Sequence, residues 1–234
     1  MRLDKYLHFN SITTSRNKAQ ELILSKRVKV ENKIITKSSY NITDEKVTIL
    51  DDVIYVSRSA LKLKSFLDSY AIDVKGKRAL DIGSSTGGFV QVLCEKGVES
   101  VAAVDVGKDQ LHKSIKENPK VTSYEETDIR EFESKVRYDF VTCDVSFVGL
   151  SYIIKDIDRL SSDEIVILFK PQFEVGKDVK RDKRGVVKDT KATILAFEKF
   201  EHLTFSLGWN LIQKDYSKIK GKAGNEEILY YFKK

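Results

Sequence analysis

From Lys77 onward, short apolar runs alternate with segments whose apolar residues recur at helical spacing. The runs Ala79–Ile82, Ser100–Asp105, Val121–Glu125, Tyr138–Asp144 and Ile165–Phe169 predict five strands, the third weaker than the others. Phe89–Lys96 and Thr190–Leu207 predict helices, the second carrying Ile194, Leu195, Phe197 and Phe200 on its apolar positions. Two more strands are expected at Trp209–Ile212 and Ile228–Phe232. Strands alternating with helices signify an α/β fold built on a parallel sheet.

The N-terminal fifth follows another rule. Leu3, Tyr6 and Leu7 share one face of a short helix. Beyond the polar break Asn10–Thr14, a second helix starts with Thr14 or Ser15 as N-cap and buries Ala19, Leu22 and Ile23. Val28 and Val30, a Glu31-Asn32-Lys33 turn and Ile34-Ile35 predict a hairpin, with Asn32 suited to a left-handed position. Val47–Leu50 closes this small α+β unit as a further strand. The expected division is a domain at 1–55, a short linker at 56–59 without Gly/Ser or Pro richness, and a larger domain at 60–234. The larger domain opens on a helix with Ala60, Leu63, Phe66 and Leu67 on its apolar face.

Composition agrees with a soluble globular chain, at 41% hydrophobic and 32% charged residues. A net charge of +6 permits an anionic partner without requiring one. Cys94 and Cys143 both fall in apolar runs and read as buried thiols of a reducing compartment. Neither they nor His8, His112 and His202 have metal-ligand spacing, so no metal is expected. The first residues lack the apolar core of a signal peptide, and Ile165–Phe169 is far too short to span a bilayer, so a cytoplasmic protein is expected.

The chemistry concentrates at Arg78-Ala-Leu-Asp-Ile-Gly-Ser-Ser-Thr-Gly-Gly-Phe89, a strand, a loop with three glycines and a helix. Glycines there let the backbone approach a ligand closely. The loop lacks the Gly-Lys-Ser/Thr of a phosphate-binding loop and the G-x-G-x-x-G of a dinucleotide site. Asp81 would repel a pyrophosphate at the helix start. A ligand with an ammonium and hydroxyls but no phosphate fits better, and S-adenosylmethionine (SAM) is such a ligand. Asp81, Gly83, Ser84, Ser85, Gly87, Gly88 and Phe89 are its candidate contacts.

Asp105 stands about twenty residues after the loop, where an acid meets ribose hydroxyls in nucleoside-binding sheets. Asp128 either borders the adenine or caps a helix from Ile129 to Phe132. In open parallel sheets ligands lie beyond the carboxyl ends of the strands, so Asp81, Asp105 and Asp144 should converge on one crevice. Lys170 ends the fifth strand, and Pro171 holds it out of the helical region. Desolvation and a neighbouring sulfonium would lower its pKa, which suits a general base, although an isolated strand-end lysine more often snorkels to solvent. Residues 177–188 hold six Lys/Arg against two acids and read as a mobile basic loop suited to phosphates.

Two resemblances sharpen this. Arg2-Leu-Asp-Lys-Tyr-Leu7, Ser15–Ile23 and Val28-Lys-Val30 resemble the alpha-L RNA-binding module. That family usually has glycine before the first strand and Asn-Gly in the hairpin, where this chain has Lys26 and Asn32-Lys33. Ser57–Lys62, Leu80–Phe89, Val104–Gly107, Asp144–Phe147 and Lys170–Glu174 resemble the TlyA family of ribosomal RNA 2′-O-methyltransferases, historically also labelled haemolysins. This resemblance implies a Rossmann-like SAM-dependent methyltransferase sheet similar to that of FtsJ-type enzymes. It also implies a tetrad of Lys62, Asp144, Lys170 and Glu227, with Glu227 chosen over Glu226 by the pattern Gly-Asn-x-Glu. The partner it implies is ribosomal RNA, with a cytidine of the large subunit as target. The residues expected to contact RNA are Arg2, Arg16, Lys18, Lys26, Arg27, Arg58, Lys180, Arg181, Lys183 and Arg184.

Rival readings are weaker. Cytosine C5 methylation through Cys143 fails because Cys143 and Asp144 point to opposite faces of their strand. A vestigial methyltransferase acting as an assembly factor is opposed by the intact tetrad. A pore-forming haemolysin lacks a long amphipathic or transmembrane segment.

Overall fold

The computed structural model describes residues 1–50 and 55–234 and falls into two compact units, 1–54 and 55–234. Positions 51–54, assigned above to the end of the first domain, lie outside the described residues.

In the first unit, α1 (Leu3–Phe9) and α2 (Arg16–Leu24) precede β1 (Val28–Val30), β2 (Lys33–Ile34) and β3 (Val47–Ile49), an antiparallel sheet ordered β2-β1-β3. Ser15 is the N-cap of α2 and its hydroxyl accepts from Lys18 N at 3.2 Å. Leu3, Leu7, Ala19, Leu22, Ile23, Val28, Val30 and Ile42 form the core. The left-handed residue of the hairpin is Glu31 (φ 52°), not the expected Asn32. Lys26 adopts φ 62°, so this chain keeps a left-handed turn before β1 without glycine.

The second unit contains α3 (Ser59–Ser69), β4 (Arg78–Ile82), α4 (Gly88–Glu95), β5 (Ser100–Val104), α5 (Lys113–Lys116), β6 (Val121–Tyr124), β7 (Tyr138–Cys143), α6 (Ile154–Leu160), β8 (Ser161–Phe169), α7 (Pro171–Glu174), α8 (Thr190–Ser206), β9 (Asn210–Tyr216) and β10 (Ile228–Lys233). One seven-stranded sheet runs β6-β5-β4-β7-β8-β10-β9. The first five strands in that order are parallel, while β10 is antiparallel to both β8 and β9. The sheet is therefore mixed, where strand and helix alternation alone predicts a parallel one. Leu80, Val141, Ile165, Ile167, Phe169, Tyr230 and Phe232 form the centre of its core, every one at most 2% exposed.

Other departures are local. Tyr55 is buried, its hydroxyl donates to Glu95 at 2.5 Å, and Val56 N donates to Gln91 at 2.9 Å, so the chain from 55 to 59 belongs to the second unit. Residues 129–131 form a turn instead of a helix. In α8, Ile194 and Leu195 are about half exposed, and the buried face is Ala196, Phe200 and Thr204. Among the described residues, no helix is long and apolar enough to cross a membrane.

Candidate active site

The turn from β4 into α4 depends on three left-handed residues, Gly83 (φ 77°), Ser85 (φ 46°) and Gly87 (φ 91°). A Cβ on Gly83 would lie 3.0 Å from the Asp144 carbonyl oxygen, so the glycine permits two backbones to meet there. A Cβ on Gly88 would lie 2.0 Å from Ser57 Oγ and 2.5 Å from Ser59 Oγ, which seats the start of α4 directly on the start of α3. Asp105 holds the loop from the neighbouring strand, accepting from Ser85 N and Gly107 N, each at 2.7 Å.

Asp81 is 1% exposed. Its Oδ1 accepts from Thr142 Oγ1 at 2.6 Å, and its buried Oδ2 has no partner among the described residues. Burial pushes the Asp81 carboxyl up to about 7, against the Thr142 hydrogen bond and with smaller help from the charges of Asp144 and Asp105. A cationic ligand group is what such an acid lacks.

Two cavities open beyond the strand ends. One, of about 450 Å³, is bounded by Asp105, Val106, Gln110, Asp128 and Arg130. The other, of about 680 Å³, is bounded by Lys62, Asp81, Ser84, Lys170, Gln172 and Glu227. They share Gly83, Ser85, Asp144, Ser146 and Phe147. Asp128 has no helix to cap, because 129–131 is a turn. It borders the first cavity, and its carboxylate accepts from Arg130 N (2.9 Å) and from the Arg130 guanidinium (2.5 and 3.0 Å), closing the turn.

The four tetrad positions meet on the second cavity as two ion pairs. Lys170 Nζ lies 2.7 Å from Asp144 Oδ1, close in distance but without hydrogen-bond alignment, and it donates to Ser146 Oγ at 2.9 Å. Lys62 Nζ, from the first turns of α3, donates to Glu227 Oε2 at 2.5 Å. Burial pushes the Asp144 carboxyl upward against the pull of Lys170. Asp144 and Lys170 follow the carboxyl ends of β7 and β8, whereas Glu227 precedes the amino end of β10. It reaches the same edge only because β10 runs backward, with Ile228 opposite Phe169. Glu226 turns outward to Lys220 at 3.1 Å, and both are well exposed.

Sequence reasoning missed two neighbours of Glu227. Gln172 donates from Nε2 to Glu227 Oε1 at 3.3 Å, and a Cβ on Gly221 would lie 2.4 Å from that same oxygen. The Lys-Pro-Gln motif was the available signal for the first; nothing local marks the second. Cys143 is fully buried in the core, where burial raises its thiol far above the ordinary range, so it offers no nucleophile.

The candidate RNA contacts divide. In the first unit Arg2 and Arg16 converge on the fully buried carboxylate of Asp4, with nitrogens at 2.9–3.1 Å. Their hydrogen bonds hold Asp4 far below the usual carboxylate range. Lys18 pairs with Glu21 at 3.4 Å, Lys26 is exposed, and Arg27 is half-buried. In the second unit Arg58 is the N-cap residue of α3 and lines the larger cavity, as does Arg184. Lys180, Lys183 and Arg184 are exposed, while Arg181 turns its guanidinium onto backbone carbonyls of its own loop.

A Rossmann-like sheet, a glycine loop closed by acids and a lysine-carboxylate tetrad define a methyltransferase catalytic domain. Two family descriptions match the chain, FtsJ-like methyltransferase over residues 55–234 and S4 domain over residues 1–47. It is 44% identical to the 23S rRNA (cytidine-2′-O)-methyltransferase TlyA of Campylobacter jejuni, over 99% of both chains. It is 34% identical to the 16S/23S rRNA (cytidine-2′-O)-methyltransferase TlyA of Mycobacterium tuberculosis, over 99% of this chain and 89% of that one. Hemolysin A of Brachyspira hyodysenteriae is 33% identical over 99% of both. A solved structure from Streptococcus thermophilus that bears a hemolysin name superposes with a TM-score of 0.74 at 28% identity, covering 100% of this chain and 88% of that one. The chain belongs to the TlyA family of FtsJ-like methyltransferases and carries an N-terminal S4 RNA-binding domain.

Proposed function

We propose that the protein transfers a methyl group from SAM to the 2′-hydroxyl of a cytidine in ribosomal RNA, most directly large-subunit RNA. The observation that carries this is the pair of lysine-carboxylate contacts, Lys170 with Asp144 and Lys62 with Glu227, on a cavity that the glycine loop also lines and that shares Gly83, Ser85 and Asp144 with the cavity of Asp105. When bound, SAM supplies an electrophilic methyl group on a sulfonium. Asp81 Oδ2 is the fitting partner for its ammonium, and Asp105 for its ribose hydroxyls. Gly83, Ser84, Ser85, Gly87, Gly88 and Phe89 shape the loop around it.

A ribose hydroxyl is a weak nucleophile near neutral pH, so alignment and proton removal dominate the barrier. Lys170 Nζ, as the neutral amine, receives the 2′-hydroxyl proton, with Asp144 at 2.7 Å and Ser146 Oγ at 2.9 Å to orient it. Lys62 and Glu227 hold the ribose and balance charge next to the reacting oxygen. Arg2, Arg16, Lys18, Lys26 and Arg27 of the S4 domain, with Arg58, Lys180, Lys183 and Arg184, meet the RNA backbone. Action on ribosomal RNA accords with a cytoplasmic protein.

Nucleoside mass spectrometry of ribosomal RNA treated with purified protein and SAM tests the reading. A 2′-O-methylcytidine that disappears with Lys170→Ala is expected. A methylated base, or full activity in that variant, refutes the mechanism.

A further inference from the structure

The basic loop 177–188 is fastened to Glu227 from two sides. On one side, Arg181 Nη1 donates to the carbonyls of Lys177 (3.0 Å) and Val179 (2.8 Å), and Nη2 to those of Gly176 (2.7 Å) and Gln172 (3.2 Å). Gln172 passes the restraint on through its 3.3 Å bond to Glu227 Oε1. Because a carboxylate can only accept here, the amide nitrogen of Gln172 is the atom that faces it.

On the other side stands Asn225, a polar residue only 5% exposed. Its Oδ1 accepts from Val187 N at 3.1 Å and its Nδ2 donates to Gly185 O at 3.4 Å. Its own carbonyl accepts from Gly221 N at 2.9 Å, which lays Gly221 against Glu227. Within the loop, Arg181 and Val187 form a β-bridge, and Asp182 accepts from Arg184 N and Val186 N at 2.8 and 3.0 Å. The basic loop is thus internally bonded and tied, through Gln172 on one side and through Asn225 on the other, to neighbours of Glu227.

This geometry divides the labour among the loop's cations. Both terminal nitrogens of Arg181 are engaged by main chain, which leaves them poorly placed for phosphate, whereas Lys180, Lys183 and Arg184 are exposed, Arg184 at the rim of the larger cavity. We infer that Arg181 and Asn225 are positioning residues: they brace the RNA-facing loop against Glu227, so that the seat of the Lys62–Glu227 pair depends on the loop. The inference rests on the methyltransferase reading above. It makes the loop part of the apparatus that sets the rate, in addition to any part in affinity.

Arg181→Lys in the full chain separates the two roles, since it keeps the charge and removes the forked bonding. Asn225→Ala tests the other attachment. Each variant is expected to lower the single-turnover methylation rate at saturating SAM and ribosomal RNA by at least about tenfold. SAM affinity should stay within about twofold of the parent in both, and so should RNA affinity and its salt dependence in Arg181→Lys. Trypsin should cut between Lys177 and Lys188 faster in both. Weaker RNA binding with an unchanged saturating rate would make Arg181 an ordinary RNA contact and overturn the inference. A fall of SAM affinity in step with the rate would overturn it as well, by showing a general support of the fold. Wild-type protein that methylates no ribosomal RNA sinks the enzyme reading and the inference with it; an active wild type with unimpaired variants sinks the inference alone.

Discussion

Lys170 and Glu227 flank a single antiparallel register, Phe169 opposite Ile228, so a base candidate that ends one strand lies beside an acid that begins another. The register also decides between adjacent glutamates. Glu227 is 3% exposed and bonded to Lys62, whereas Glu226 is on the surface with Lys220. Glu227→Gln should lower the methylation rate by about tenfold or more, while Glu226→Gln should stay within about twofold. Equal rates in the two variants would contradict the assignment.

Asp81 should make SAM binding depend on pH. An unfolded aspartate ionises near pH 3.9, and the folded group near 7. The folded state keeps its proton longer, so ligand-free stability should fall as pH rises from about 4 to about 7 and level off above. A cationic ligand wants the ionised form, so SAM affinity should rise about tenfold from pH 6 to pH 8, with proton release near pH 7. Calorimetry in buffers of different ionisation heat measures both. Affinity independent of pH, with no proton released, would exclude Asp81 as the ammonium partner.

Gly221→Ala places a methyl group 2.4 Å from Glu227 Oε1, too close for both to stay. The obstructed atom is the end of a side chain, so the carboxylate should give way before the backbone does. The expected result is a methylation rate lowered about tenfold with a stability loss of only ~1 kcal/mol. A normal rate would show that Glu227 tolerates displacement.

In the S4 domain, replacing the exposed Lys26 with glutamine should weaken RNA binding and flatten its dependence on salt by about one unit of logarithmic slope. SAM affinity should not change. Loss of both affinities together would contradict separate RNA and cofactor modules.

What could be read from the residues follows from how locally each feature is encoded. Asp81, Asp105 and Asp144 were legible because each stands at or next to the carboxyl end of an apolar run, and parallel strands bring such ends together. Lys170 was legible through Pro171 and the apolar residues before it. The direction of β10 was not, since the alternation along Ile228–Phe232 is the same whichever way the strand runs. Gln172 and Asn225 escaped for a related reason, since their partners Glu227, Gly185 and Val187 are distant in sequence, while Gly221 meets Asn225 and Glu227 through a turn that no local pattern marks. Arg181 looked like its cationic neighbours, and only its carbonyl partners distinguish it. In α8, periodicity marked Ile194 and Leu195 as apolar positions, but the helix meets the sheet further round, through Ala196 and Phe200.

At Gly88 the hydrogen that stands in place of a side chain lets α4 sit directly on Ser57 and Ser59. The helix that begins at the glycine loop and the helix that carries Lys62 are therefore packed with no room for a side chain between their starts, so an alanine at position 88 would force the two apart and carry Lys62 away from the loop.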